Sequence, residues 1–147
     1  MNTLTIVITI FIILESLNII VLYFFPESDK GNGVKIFNAF EKSKSDPEIH
    51  AFINYLINWV AGTKLIFILL LIAILLVGNN QIKLYGLVAL LFSVSTYFWR
   101  LHPLIKLMDE SGWIFPKGYS RTLGYTIAVF LIVFTISLIV YLILNPE

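Results

Sequence analysis

Four long apolar runs, parted by two polar stretches and one tight turn, dominate the alternation of hydrophobic and polar positions. They are Leu4–Phe25, a run within Ala51–Val77, a run within Ile82–Leu101 and a run within Thr122–Leu144. About 20 residues at about 1.5 Å each suffice to cross the hydrocarbon core of a bilayer. Lipid offers backbone N–H and C=O groups no partner, so each run is predicted to be a helix. Stretches such as LIFILLLIAILLV lack the alternation of a barrel strand. The pattern predicts an all-α fold: an integral membrane four-helix bundle with two longer cytoplasmic connections, one transmembrane domain over residues 1–147. The first run does not read as a signal peptide, because no basic segment precedes it and no small-residue cleavage pattern follows.

The polar stretches set the expected topology. The N-terminus, the GNNQ turn at 78–81 and the C-terminal NPE share one side, and the two long connections share the other. Near the long connections fall Lys30, Lys35, Lys42, Lys44, Arg100, Lys106, Lys117 and Arg121, against Lys83 alone opposite. The positive-inside rule makes that side cytoplasmic and both termini external, and Trp59, Trp99 and Trp113 fall at the same interface. In the first connection Val34, Phe37 and Phe40 recur at helical spacing among lysines, which predicts a short helix lying on the membrane surface. Ser45-Asp46-Pro47-Glu48 has the spacing of a capping box and starts the second long helix before the bilayer begins. Pro103 is expected to stop the third, with DESG turning the chain and Trp113, Ile114 and Phe115 resting at the interface.

Composition agrees with a lipid-facing chain. Hydrophobic residues make up 59% and charged residues 13% of the sequence, and the mean hydropathy is +0.90. A soluble domain of this size has no interior able to hide that excess. A net charge of +1 without a basic cluster gives no reason to expect nucleic acid as a partner. The absence of Cys excludes disulfides, thiolate metal sites and Cys nucleophiles. The Ile-, Asn- and Lys-rich usage suits a prokaryotic plasma membrane.

Polar positions inside the runs indicate which faces meet. Gly86, Ala89, Ser93, Thr96 and Arg100 follow one another at steps of three and four, predicting a small, hydroxyl-bearing interior face on the third helix. Gly124 and Ala128 repeat the spacing on the fourth, with Thr135 further along the same face. On the first helix Glu15 and Asn18 point within about 60° of each other. Thr5, Thr9 and Ser16 lie on the adjoining flank, so that half is expected to face inward. A carboxyl exposed to lipid near the bilayer centre costs about 2.5–3.5 kcal/mol even on the lenient scale.

Glu15 is about 15 Å from either end of its run. Lys64 stands about 10 Å below the cytoplasmic interface, within reach of Glu15 or of the interface itself. The binding residues expected are therefore Glu15, Asn18, Lys64, Ser93, Thr96 and Arg100. Three readings stay open for Glu15: a binding or proton-exchange group in a cavity, an interhelical clamp with Lys64 or Asn18, or a neutral carboxyl bonded to a neighbour. The corresponding functions are a membrane-embedded binding or transport component, or a non-catalytic accessory subunit joined to a membrane partner or a second copy through the small faces of helices three and four. A membrane enzyme using His50 and His102 ranks third. Neither His has a companion at ligand spacing, so no metal or other cofactor is assigned. Asp109 and Glu110, adjacent on a turn, do not make an acid and base pair. No Walker, GxSxG or dinucleotide motif is present. An early intramembrane Glu and four spans resemble the small multidrug resistance exporters. Their helix 1 motif is missing around ILESLNII and their connections are tight, so no family is assigned.

Overall fold

A computed structural model describes residues 2–31 and 33–145. Among these residues the chain forms α1 (Thr3–Phe24), α2 (Asn38–Ser43), α3 (Pro47–Val77), α4 (Asn80–Ser95), a π-helical turn (Tyr97–Leu101), α5 (His102–Glu110) and α6 (Tyr119–Leu144), and no strand. Of the expected external NPE, Pro146 and Glu147 lie outside the described residues. Four helical rods are long and apolar enough to cross a membrane: α1, α3, α6 and the composite 80–110.

Side-chain caps start these helices where the sequence changes character. Asn2 accepts from the Thr5 amide, and Asn79 from the Ile82 amide. Such caps satisfy amides that have no carbonyl one turn earlier. At the expected start of α3 the cap is Asp46, which accepts from Glu48 and Ile49 with Pro47 in the first turn. The Ser45 hydroxyl instead donates to the Lys42 carbonyl.

Pro103 does not stop the third rod. It lies in the first turn of α5, directly after the π-turn, where the His102 amide bonds the Tyr97 carbonyl. A proline ring clashes with the carbonyl four residues back in a regular helix, and the wider π-turn relieves that clash so that the rod continues.

Helix α1 is the hub. Leu4, Val7, Ile8, Phe11, Ile12 and Ile19 form the main core with Ile68 and Leu71 of α3, Leu87 and Leu90 of α4, and Phe134 of α6. Phe11 meets Phe67, Phe130 and Phe134 edge to face, with centroids 6.4, 6.2 and 5.6 Å away. Helices α3 and α4 touch beside their turn, where Ile74 packs on Gly86. The Asn2 amide group donates to Asn80 at 2.8 Å, placing the start of α1 beside that turn.

The long connections meet at the opposite end. Ile36 accepts from the Phe115 amide and Asn38 donates to the Trp113 carbonyl, closing a bridge between Phe37 and Ile114. The surface helix expected around Val34, Phe37 and Phe40 is therefore corrected. Helix α2 is a single short turn that begins at Asn38, and Phe40 is buried against Leu22, Ile57 and Ala61 rather than laid on a bilayer. Ile36 and Ile114 are buried with Tyr97 and Ile105. Burial against protein won because α1 and α3 supply an apolar surface for Phe40 and the second connection supplies one for Ile36.

Candidate functional site

The buried stripe of α1 runs through Leu4, Ile8, Phe11, Ile19 and Leu22, and Glu15 takes the place between Phe11 and Ile19. Its carboxylate is held from two sides. Lys64 of α3 donates to Oε2 at 2.6 Å, and Asn18, one turn on, donates to Oε1 at 3.4 Å. The Lys64 ammonium thus turns into the bundle instead of extending to the interface. The pair is not sealed: the side chains keep 30% exposure at Lys64 and 19% at Glu15.

What leaves it open is a cavity of about 410 Å³ between α1, α3, the π-turn region and α6. Glu15, Lys64, Ser93, Thr96 and Arg100 line it, together with Phe11, Phe67, Tyr97, Ile127 and Phe130. Five of the six residues expected from sequence therefore share one cavity wall, and Asn18 joins through its bond to Glu15. The wall carries one carboxylate and two cations, so its formal charge is positive. Arg100 also lies over the Trp99 ring, 4.9 Å from its centroid. Thr96, Tyr97, Arg100 and Leu101 reach the cavity from the π-turn and the residue before it, so the irregularity that accommodates Pro103 also shapes one side of the site.

The reason for including Ser93 and Thr96 is corrected. The packed face of α4 runs through Gly86, Leu87 and Leu90 and continues to Tyr97, while Ala89, Ser93 and Thr96 are exposed. Leucines span the distance to α1 and α6, whereas Ser93 and Thr96 leave space beside them, and that space is the cavity; Ala89 lies outside its lining. The Thr5 hydroxyl accepts from the Lys83 ammonium of α4 at 3.4 Å, but Thr96 bonds the Ser93 carbonyl, Thr9 that of Thr5 and Thr135 that of Leu131, each within its own stretch of helix. Serine and threonine satisfy themselves this way where no partner is close. On α6, Gly124 is buried but Thr135 is exposed.

Two features went unread in the sequence. The aromatic lining from Phe11, Phe67 and Phe130 looks like ordinary apolar sequence until the helices are docked. Gly31, at φ 59°, brings the first connection back over α1, where a Cβ would stand 3.0 Å from Asn18 Oδ1. A glycine in a polar loop is a local hint, but its target is not local.

The histidines occupy separate clusters. His50 Nδ1 lies 3.0 Å from the Ser43 hydroxyl, beside Phe40. His102 Nδ1 lies 3.1 Å from the Tyr97 hydroxyl, with its ring against Gly124. Asp109 is buried at the end of α5 and caps α6 from outside, accepting from the Gly118 amide and from both the amide and hydroxyl of Ser120. The Ser120 hydroxyl, then these amides, hold its carboxyl below the usual aspartate range. Comparison with family models, curated proteins and solved structures gives no match.

Proposed function

We propose that this chain is a multi-pass membrane protein, with both termini outside and the long connections cytoplasmic, whose Glu15–Lys64 cavity binds or carries a small molecule. The membrane part draws on the outward faces of the rods, where Leu17, Leu70, Phe92 and Ile132 are each more than half exposed. Such a continuous apolar exterior is unfavourable in water and matches lipid. The binding part is carried by one observation: the ion pair lies on a cavity wall instead of in a closed seam. A volume of about 410 Å³ falls in the range of small-molecule sites. An ionisable group held inside a membrane is a functional candidate by its cost alone. The ligand that suits this wall places a polar group at Glu15, Lys64 and Arg100 and an apolar body against Phe11, Phe67 and Phe130.

The test uses the absence of native Cys. Single cysteines at Ser93 and Thr96, in protein inserted into vesicles, are expected to react with a soluble thiol reagent, while cysteine at the buried Leu90 is not. Protection of both in a natively folded chain would defeat the cavity reading. For a transport role, Glu15→Gln is expected to abolish pH-dependent flux of whatever solute is carried.

A second reading, an accessory subunit, draws on the exposure of Ala89, a small residue left uncovered on α4. It predicts a stoichiometric membrane partner on co-purification.

A further inference from the structure

A second cavity, of about 690 Å³, lies between α5 and α6 at the end of the bundle that holds the long connections. Its polar end is formed by Lys106, Lys117 and Arg121 with Asp109 and Glu110. The two carboxylates are already engaged. Both oxygens of Asp109 point to the start of α6, and Glu110 lies 3.8 Å from Lys106 along α5. Lys117 and Arg121 pair with no carboxylate among the described residues. Two cations therefore stand free at the mouth, although Lys117 also adds a favourable field at Asp109.

The other end of the cavity is apolar. Phe98, Gly124, Tyr125 and Ala128 continue the lining along α6. From Arg121 to Ala128 is seven residues, about 10 Å toward the middle of the rod. Gly124 lets α5 sit close on α6, and the His102 ring that packs directly on its backbone forms part of the same lining. A free phosphate needs only the charged end. A cationic mouth that grades into an apolar trough at the depth of a headgroup matches a phospholipid.

We infer that this groove holds one anionic phospholipid of the cytoplasmic leaflet, its phosphate between Lys117 and Arg121 and an acyl chain along Phe98, Tyr125 and Ala128. The inference rests on the membrane reading above but not on the Glu15 cavity. A basic residue near an anionic surface contributes about fivefold in affinity, so the two together contribute about 25-fold.

Protein in neutral detergent is titrated with phosphatidylglycerol and separately with phosphatidylcholine, and bound lipid is counted by native mass spectrometry. Phosphatidylglycerol is expected to bind more tightly. In Lys117→Gln/Arg121→Gln its affinity falls about 25-fold with phosphatidylcholine unchanged. The charge-conserving Lys117→Arg/Arg121→Lys retains it, and Ala128→Trp, which fills the apolar end, weakens it with the charge intact. Equal affinity for the two lipids overturns the inference, as does full phosphatidylglycerol binding by the glutamine variant. Displacement of the lipid by equimolar inorganic phosphate would make this a free-anion site and overturns it too. Flotation with phosphatidylcholine vesicles separates the two levels. A chain that floats but shows no lipid preference defeats this inference alone, and one that does not float defeats the membrane reading with it.

Discussion

The Lys64 ammonium lies 2.6 Å from the Glu15 carboxylate, joining α3 to α1 across 49 positions of sequence. Exposed ion pairs contribute about 0–1 kcal/mol, and breaking a fully buried one costs about 3–5 kcal/mol. This pair, open on one side to a cavity, falls between. Lys64→Met is expected to destabilise the chain by about 2 kcal/mol, measured by thermal unfolding in detergent. Glu15→Gln/Lys64→Met should cost less than the two single changes summed, because the second removes a group the first has already left alone. Strict additivity would mean that the two groups do not interact.

Asp109 gives a pH dependence with a defined sign. Its carboxyl belongs to the polar segment HPLIKLMDE that ends the 80–110 rod beside the long connections, past its apolar stretch, and its folded pKa is depressed by the Ser120 hydroxyl first and the Gly118 and Ser120 amides next. A depressed carboxylate stabilises the fold above its unfolded pKa and loses that contribution as the pH falls through the folded value. Wild type is therefore expected to lose thermal stability as the pH drops below about 4. Asp109→Asn should have a lower melting temperature at neutral pH and a shallower acid dependence. Parallel acid profiles for the two proteins would contradict the cap.

Gly124 leaves no room for a side chain at the α5–α6 contact. A Cβ there would stand 3.1 Å from Cε1 of His102, whose Nδ1 shares a hydrogen bond with the Tyr97 hydroxyl. Gly124→Ala is expected to push the ring off that bond and cost about 1–3 kcal/mol. His102→Ala in the same background should recover part of the loss. No recovery would place the strain elsewhere.

Gly31 and Gly112 separate a backbone effect from a contact. Both have positive φ, 59° and 71°, but a Cβ at Gly31 meets Asn18 while one at Gly112 meets nothing within 4 Å. Alanine at either costs about 1–2 kcal/mol for the left-handed backbone. Gly31→Ala should cost more than Gly112→Ala, and combining it with Asn18→Ala should close the gap. Equal costs in the single variants would show that the first connection does not press on Asn18.

Much of this architecture was legible in linear order. The lengths of the apolar runs, the Asp46-Pro47 start and the Gly78-Asn79 break follow from rules that act within a few residues. Glu15 and Asn18 were legible as neighbours for the same reason. Pro103 shows where a local rule is overridden: alone it ends a helix, but with Tyr97 and Ile105 anchored against Ile36 and Ile114 the rod widens by a π-turn and continues. The face of α4 shows a different failure. Leu87 with Leu90 and Ala89 with Ser93 both recur at helical spacing, so periodicity supports two stripes, and only docking against α1 and α6 selects the leucines.

From the amino-acid order alone came the number of apolar helices, the start of α3 and its break from α4, and the inward turn of a carboxyl that lipid would penalise. Docking decided which cation meets that carboxyl, and that Ser93, Thr96 and Arg100 border open space beside it instead of filling a seam. The division has one physical cause. Hydrogen bonding and apolar periodicity act along a single helix, whereas the rotation and offset of one helix against another depend on how bulky side chains from distant segments interlock.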